Sequence, residues 1–259
     1  MPLIVQLHGR GIDAIRFDLW TGLAGFATER GWAVALPAAV GEIWNDGRWT
    51  GTEVAEVDDI GFIDAVIVDA AARLPIDPRR VYLAGMSNGA SMAGRYVCER
   101  PAGACAVAQV AGTAAESVVA GCQPGRPVPL LQIHGAVDRF APYGGGRAAG
   151  PMARFFVRRR AEPMVGVDAW AEHWVRVNGA VPAPSVQHIG AATTIRRWSG
   201  ATPRSDVEFI RIGDGGHTWP GARAWIAPIF GRVNRELDAT AAIWSFFESH
   251  PGPPPEAAP

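Results

Sequence analysis

Short apolar runs recur along this chain, and between them the apolar positions shift to a spacing of three and four. The runs at 3–7, 32–36, 81–85, 105–110, 129–134, 193–198 and 207–212 predict buried β-strands. From Glu53 to Leu74 the pattern is different: Ile60, Ile63, Ile67, Ala70 and Leu74 form one stripe on a helix face. Further helical stretches follow Met86, closed by Pro101, and cover 168–178. Strands alternating with helices predict an α/β fold with a mainly parallel sheet covered on both faces. In such a sheet a site belongs at the carboxyl ends of the strands. No internal repeat interrupts the pattern.

Composition narrows this to one compact unit. A chain of 259 residues that is 48% apolar can bury one large core, so 1–250 reads as a single catalytic domain. The last stretch, 251–259, is proline-rich, has no core-forming residues and predicts a disordered tail. Arginine supplies all 24 basic residues against 25 acidic ones, a net charge of −1 that offers no groove for nucleic acid. The Arg158-Arg159-Arg160 run reads as a solvated helix face. No uninterrupted apolar segment reaches the length of a membrane span, and no signal-peptide pattern opens the chain.

The chemistry centres on Gly85-Met86-Ser87-Asn88-Gly89, which lies between the strand at 81–85 and a helix. This is the G-x-S-x-G elbow, whose glycines let the chain turn sharply and leave the serine hydroxyl exposed above the sheet. The bland alternative is a serine that only caps the helix. A hydroxyl is a poor nucleophile until a base removes its proton, so an acid and a histidine should follow in that order. Asp138, just past the strand at 129–134, and His217, in the loop after the strand at 207–212, fill those places. Asp214 is the rival acid, close enough to His217 to be a turn residue instead. His8 and His134 read as loop braces, His173 as a packed helix residue, His188 as part of a connection and His250 as part of the tail. Asp58 and Asp59 suit a helix start. The developing oxyanion needs donors, and the backbone N–H groups of Asn88 and Arg10 are the candidates, the latter in the loop His8-Gly9-Arg10-Gly11. Such a site needs neither cofactor nor metal.

Several motifs together carry a resemblance. They are Leu7-His8-Gly9, Trp44-Asn45, Val57 to Phe62, Asp77 to Tyr82, the elbow, Val110-Ala111-Gly112, Ile133-His134-Gly135 with Asp138, Pro142-Tyr143, and Gly215-Gly216-His217-Thr218-Trp219-Pro220. In these, from residue 3 to about 249, the chain resembles the secreted polyhydroxybutyrate depolymerase and feruloyl esterase family of α/β-hydrolases. The resemblance implies an ester hydrolase with Ser87, Asp138 and His217 as nucleophile, acid and base, and Arg10 and Asn88 at the oxyanion. It also implies a secreted or periplasmic location.

Departures from the family are informative. Relatives carry one or two strands before Leu7-His8-Gly9, so the sheet here is expected to lack them. The family cysteine after a Trp-x-x-x-Asn-Gly segment is replaced at Asn178-Gly179-Ala180, and its partner near Trp198 is absent. Trp49 stands where relatives often carry cysteine. Of the three cysteines, Cys105 reads as a buried small hydrophobe, while Cys98 and Cys122 could be bridged. Trp44, Trp49, Trp219 and Tyr143 are the candidate substrate-binding residues, with core packing as the competing reading of the tryptophans. The expected reaction is hydrolysis of polyester or of feruloyl or acetyl esters of plant polysaccharide. A serine peptidase on the same fold and a non-catalytic binding protein are the alternatives.

Overall fold

The computed structural model describes residues 1–148, 161–222 and 228–252. The Arg158–Arg160 run and all but the first two residues of the proline-rich tail lie outside them. Within the described residues one sheet of eight strands forms: β1 (Leu3–Leu7), β2 (Ala33–Ala35), β3 (Val81–Met86), β4 (Ala106–Val110), β5 (Leu130–Gly135), β6 (Ser185–Ile189), β7 (Thr193–Trp198) and β8 (Val207–Ile212). Their order is β2-β1-β3-β4-β5-β8-β7-β6. The pairs from β2 through β8 are parallel, and β7 and β6 add antiparallel strands at one edge. At the other edge, among the described residues, β2 ends the sheet. The α/β expectation holds, with β6 as an addition. Its residues are exposed save for the half-buried Ile189, so it carries no buried face that a periodicity could reveal.

Among the described residues, seven helices cover the sheet: α1 (Ala14–Thr21), α2 (Leu23–Thr28), α3 (Asp59–Arg73), α4 (Asn88–Glu99), α5 (Glu116–Gly121), α6 (Val167–Val177) and α7 (Ala239–Ser249). Strand alternation sorts the core into two layers. Leu3, Val5 and Leu7 of β1 pack with Ile60, Ile63, Met92, Tyr96, Trp170 and Trp174 of α3, α4 and α6. Ile4 joins Phe17, Leu23, Ile243 and Phe247 of α1, α2 and α7 on the opposite face. The helix foreseen from Glu53 starts only at Asp59. The Asp58 side chain accepts from Gly61 N–H and caps it, while Glu53–Glu56 makes a separate 3-10 turn.

Chain order reverses beside β1: the connection to β2 leaves on one side and the path to β3 crosses to the other. Such a switch opens a crevice at the strands' carboxyl ends. Here it falls between the loop after β1, residues 8–11, and the turn after β3 that holds Ser87.

Candidate active site

Helix α4 can leave β3 so abruptly because both elbow glycines sit against backbone. A methyl group on Gly85 would lie 2.4 Å from the Gly89 carbonyl oxygen, and one on Gly89 would lie 2.2 Å from that of Leu7. Replacing Gly89 with alanine should therefore push α4 off β1 and destabilise the fold by about 1–3 kcal/mol, as overpacking does. A lowered Tm in thermal unfolding checks this; an unchanged Tm would contradict it. Ser87 itself takes φ 56° and ψ −120°, a left-handed conformation that an L side chain rarely adopts. It is held there by its N–H donating to the Val110 carbonyl at 2.8 Å and by Ser91 N–H donating to its own carbonyl at 3.0 Å.

The structure brings the three separated residues together. His217 Nε2 lies 2.9 Å from Ser87 Oγ, and His217 Nδ1 lies 2.8 Å from Asp138 Oδ2. The second carboxylate oxygen, Oδ1, accepts from the N–H groups of Phe140 and Ala141, both at 2.8 Å. Burial opposes the Asp138 charge, but adjacent His217 and His134 and the Ala141 N–H outweigh it and hold the carboxyl below its usual range. Asp138 is thus an anion at neutral pH, placed to keep a proton on His217 Nδ1 and to leave Nε2 free to accept from Ser87. Asp214 does not compete: it pairs with Arg232 at 2.8 Å and accepts from Asn234.

Two other histidines brace the loops. His8 Nε2 accepts from Ala39 N–H at 3.0 Å while Nδ1 donates to the Gly9 carbonyl at 2.8 Å. His134 Nε2 donates to the Ala141 carbonyl at 2.8 Å, and its Nδ1 accepts from the Gln132 amide at 3.1 Å. Each uses one nitrogen as acceptor, so each must be neutral to serve. Burial lowers the pKa of His8, His134 and His173 below 6.5. A histidine depressed in the folded state takes up its proton more readily when unfolded, so its contribution is full above 6.5 and lost as pH falls. Asp59, raised by burial, works in the opposite sense, while Asp138, Asp77 and Glu236, all lowered, add to the loss at lower pH. Tm should hold steady above neutrality and decline on acidification from pH 6.5; a scan over that range checks the sign.

The residues expected at the cleft divide. Trp49 lines a cavity of about 270 Å³ together with Ser87, His217, Asn88 and Arg10. Trp44 lies beneath the site, fully buried, with its indole N–H donating to the His8 carbonyl at 3.0 Å and its ring over Phe62. Trp219 is also fully buried, edge-on to Phe17 and hydrogen-bonded to Thr240 Oγ1 at 3.0 Å. Tyr143 donates to Asp168 at 2.9 Å and packs toward Phe209. These three are corrected to structural roles, because each large ring finds core contacts and a partner for its polar tip. In their place the cavity is lined by Gly11, Arg48, Ala111, Phe140, Ala141, Met164 and Phe230. Arg48 beside Trp49 and Phe140 two residues past Asp138 had a sequence signal in their neighbours; Met164 and Phe230 had none.

The Asn88 side chain is lashed to the loop after β2. Its Oδ1 accepts from Trp44 N–H at 2.7 Å, and its Nδ2 donates to the Trp44 carbonyl at 3.0 Å and to Asp46 Oδ2 at 2.6 Å. The loop after β1 reaches the same place, since a methyl on Gly9 would lie 3.6 Å from Ser87 Cβ. Cys98, in the last turn of α4, and Cys122, just past α5, form a disulfide, while Cys105 stays a buried thiol that donates to the Arg79 carbonyl. No described helix is long and apolar enough to cross a membrane.

Comparison with known proteins points to esterases. The family described as esterase PHB depolymerase matches residues 1–149. A putative esterase, NocK, from Nocardia uniformis subsp. tsuyamanensis is 30% identical over 253 residues, covering 95% of this chain and 73% of that protein. Probable feruloyl esterase C from Aspergillus niger is 28% identical over 252 residues, 95% of this chain and 77% of the relative. Feruloyl esterase B from Piromyces equi is 25% identical over 222 residues, and there the match covers 83% of this chain but only 39% of the relative. Among solved structures, acetyl xylan esterase from Aspergillus awamori superposes with a TM-score of 0.60 at 13% identity, over 84% of each chain. At that identity the likeness speaks for the fold.

Proposed function

The chain belongs to the esterase PHB depolymerase family of α/β-hydrolases and is a carboxylic-ester hydrolase; from that premise we propose that Ser87, His217 and Asp138 carry the reaction through an acyl-enzyme. Ser87 Oγ attacks the ester carbonyl as His217 Nε2 takes its proton. The N–H groups of Asn88 and Arg10 receive the oxyanion of the tetrahedral intermediate. As the intermediate collapses, His217 returns the proton to the departing alkoxide, and the acyl group stays on Ser87. Water, activated by the same histidine, then releases the acid. Asp138 keeps the imidazole in the working tautomer and stabilises it when charged.

The observation that carries this reading is the unbroken Asp138–His217–Ser87 relay, at 2.8 and 2.9 Å, opening into the cavity. The space of about 270 Å³ suits a short or single-ring acyl group, so the substrates are small-acyl esters drawn from polyester or from feruloyl or acetyl esters of polysaccharide. Residues 1–250 act as one catalytic domain. The Cys98–Cys122 bridge supports work in an oxidising compartment, outside the cytoplasm. A fluorophosphonate probe tests the assignment: intact mass and peptide mapping should find one adduct, on Ser87. No adduct, or one on another serine, would overturn it.

A further inference from the structure

The cavity beside Ser87 has two unlike walls. One is apolar: Phe140 and Phe230 pack toward the His217 ring, with centroids 5.2 and 6.3 Å away. The other is cationic and is built around Trp49. The Arg10 guanidinium lies 5.3 Å from the centre of the Trp49 ring and that of Arg48 lies 5.7 Å from it. Both arginines line the cavity, and no described lining residue carries a carboxylate. Arg48 is 8% exposed and fixed from behind by Asp46, which accepts from its Nε at 2.8 Å and its Nη2 at 2.6 Å. Trp49 is 2% exposed, and its indole N–H has no partner among the described residues. Asp46 offsets the charge of Arg48; guanidiniums held against a buried aromatic ring match the planar, bidentate chemistry of a carboxylate.

The proton path says which half of the ester meets each wall. His217 must deliver its proton to the leaving alkoxide, so the alcohol lies on the side of His217, Phe140 and Phe230. The carbonyl oxygen points to the Arg10 and Asn88 amides. Arg10 thus supplies an amide to the carbonyl and a side chain to the cationic wall, and Asn88 is tied through Asp46 to Arg48. We propose that the acyl half of the preferred substrate carries a free carboxylate, making the substrate a monoester of a dicarboxylic acid that Arg10 and Arg48 read beside Trp49. This rests on the ester-hydrolase reading above and narrows its acyl group.

The test compares mono-4-nitrophenyl esters of succinic, glutaric and adipic acids with 4-nitrophenyl butyrate, pentanoate and hexanoate, with Ser87→Ala as the blank for spontaneous hydrolysis. At least one carboxylate-ended chain should exceed its neutral counterpart in kcat/KM by about tenfold, the scale of one charge-assisted pair. The ratio should fall toward one in Arg10→Gln, persist in part in Arg10→Lys, and shrink with added salt. Turnover of the neutral esters with no charge preference would sink this inference and leave the ester-hydrolase reading intact. Loss of all Ser87-dependent turnover would sink both. A carboxylate preference seen for 4-acetoxybenzoate over phenyl acetate, but not in the acyl series, would move the charge to the alcohol half and overturn the assignment.

Discussion

Replacing Ser87 with alanine should lower kcat on 4-nitrophenyl acetate by about four to six orders of magnitude, the usual loss when a triad nucleophile is removed. The oxyanion amides and the cavity remain in place, so residual turnover should reflect binding and transition-state polarisation alone. KM should move far less than kcat, because the hydroxyl makes its decisive contact only as the bond to carbonyl carbon forms. The variant should fold: alanine keeps the Cβ, and the bonds that hold the elbow, Ser87 N–H to Val110 and Ser91 N–H to Ser87, belong to the backbone. Undiminished turnover with a normal Tm would remove Ser87 from the mechanism.

Asp138→Asn is the second large effect, expected at about ten-thousand-fold in kcat with the geometry nearly unchanged. The remaining oxygen would stay on Oδ1, where Phe140 and Ala141 N–H groups donate. The new amide nitrogen would then face His217 Nδ1 and donate to it. That forces the imidazole proton onto Nε2, the atom that has to accept from Ser87. Asp214→Asn is the matched control. That carboxylate is partly exposed and engaged with Arg232, so its loss should change kcat only a few-fold. Equal losses in the two variants, or the larger loss in Asp214→Asn, would reassign the acid.

How far these roles were legible depends on whether backbone direction or side-chain direction decides them. Strand ends follow from apolar runs, and Ser87, Asp138 and His217 each come just past one, so their convergence was readable before any coordinate. The nearness of the loop after β1 to the elbow was readable too, since His8-Gly9 closes the neighbouring strand. Trp44 and Trp219 were misread because a loop position does not say whether a ring turns toward solvent or core. Phe230 and Met164 reach the cavity from distant loops and share no local pattern with the triad. β6 escaped because Val186 is exposed and Ile189 only half-buried, so hydrogen bonding to β7, rather than burial, makes it a strand.

The clamp on Asn88 limits how this enzyme can diverge. The Asn88 carboxamide, on the residue proposed to donate to the oxyanion, is held by Trp44 and Asp46, and Asp46 also carries Arg48 on the wall proposed to meet the acyl group. On that proposal recognition and rate enhancement share one mechanical part. A substitution between 44 and 49 selected for a new acyl group is then expected also to shift the Asn88 amide. Directed evolution of specificity in that loop should yield variants whose KM and kcat change together, whereas changes at Phe140 or Phe230 leave the clamp alone. Relatives that accept different acids are then expected to have rebuilt this loop as a unit instead of one side chain at a time.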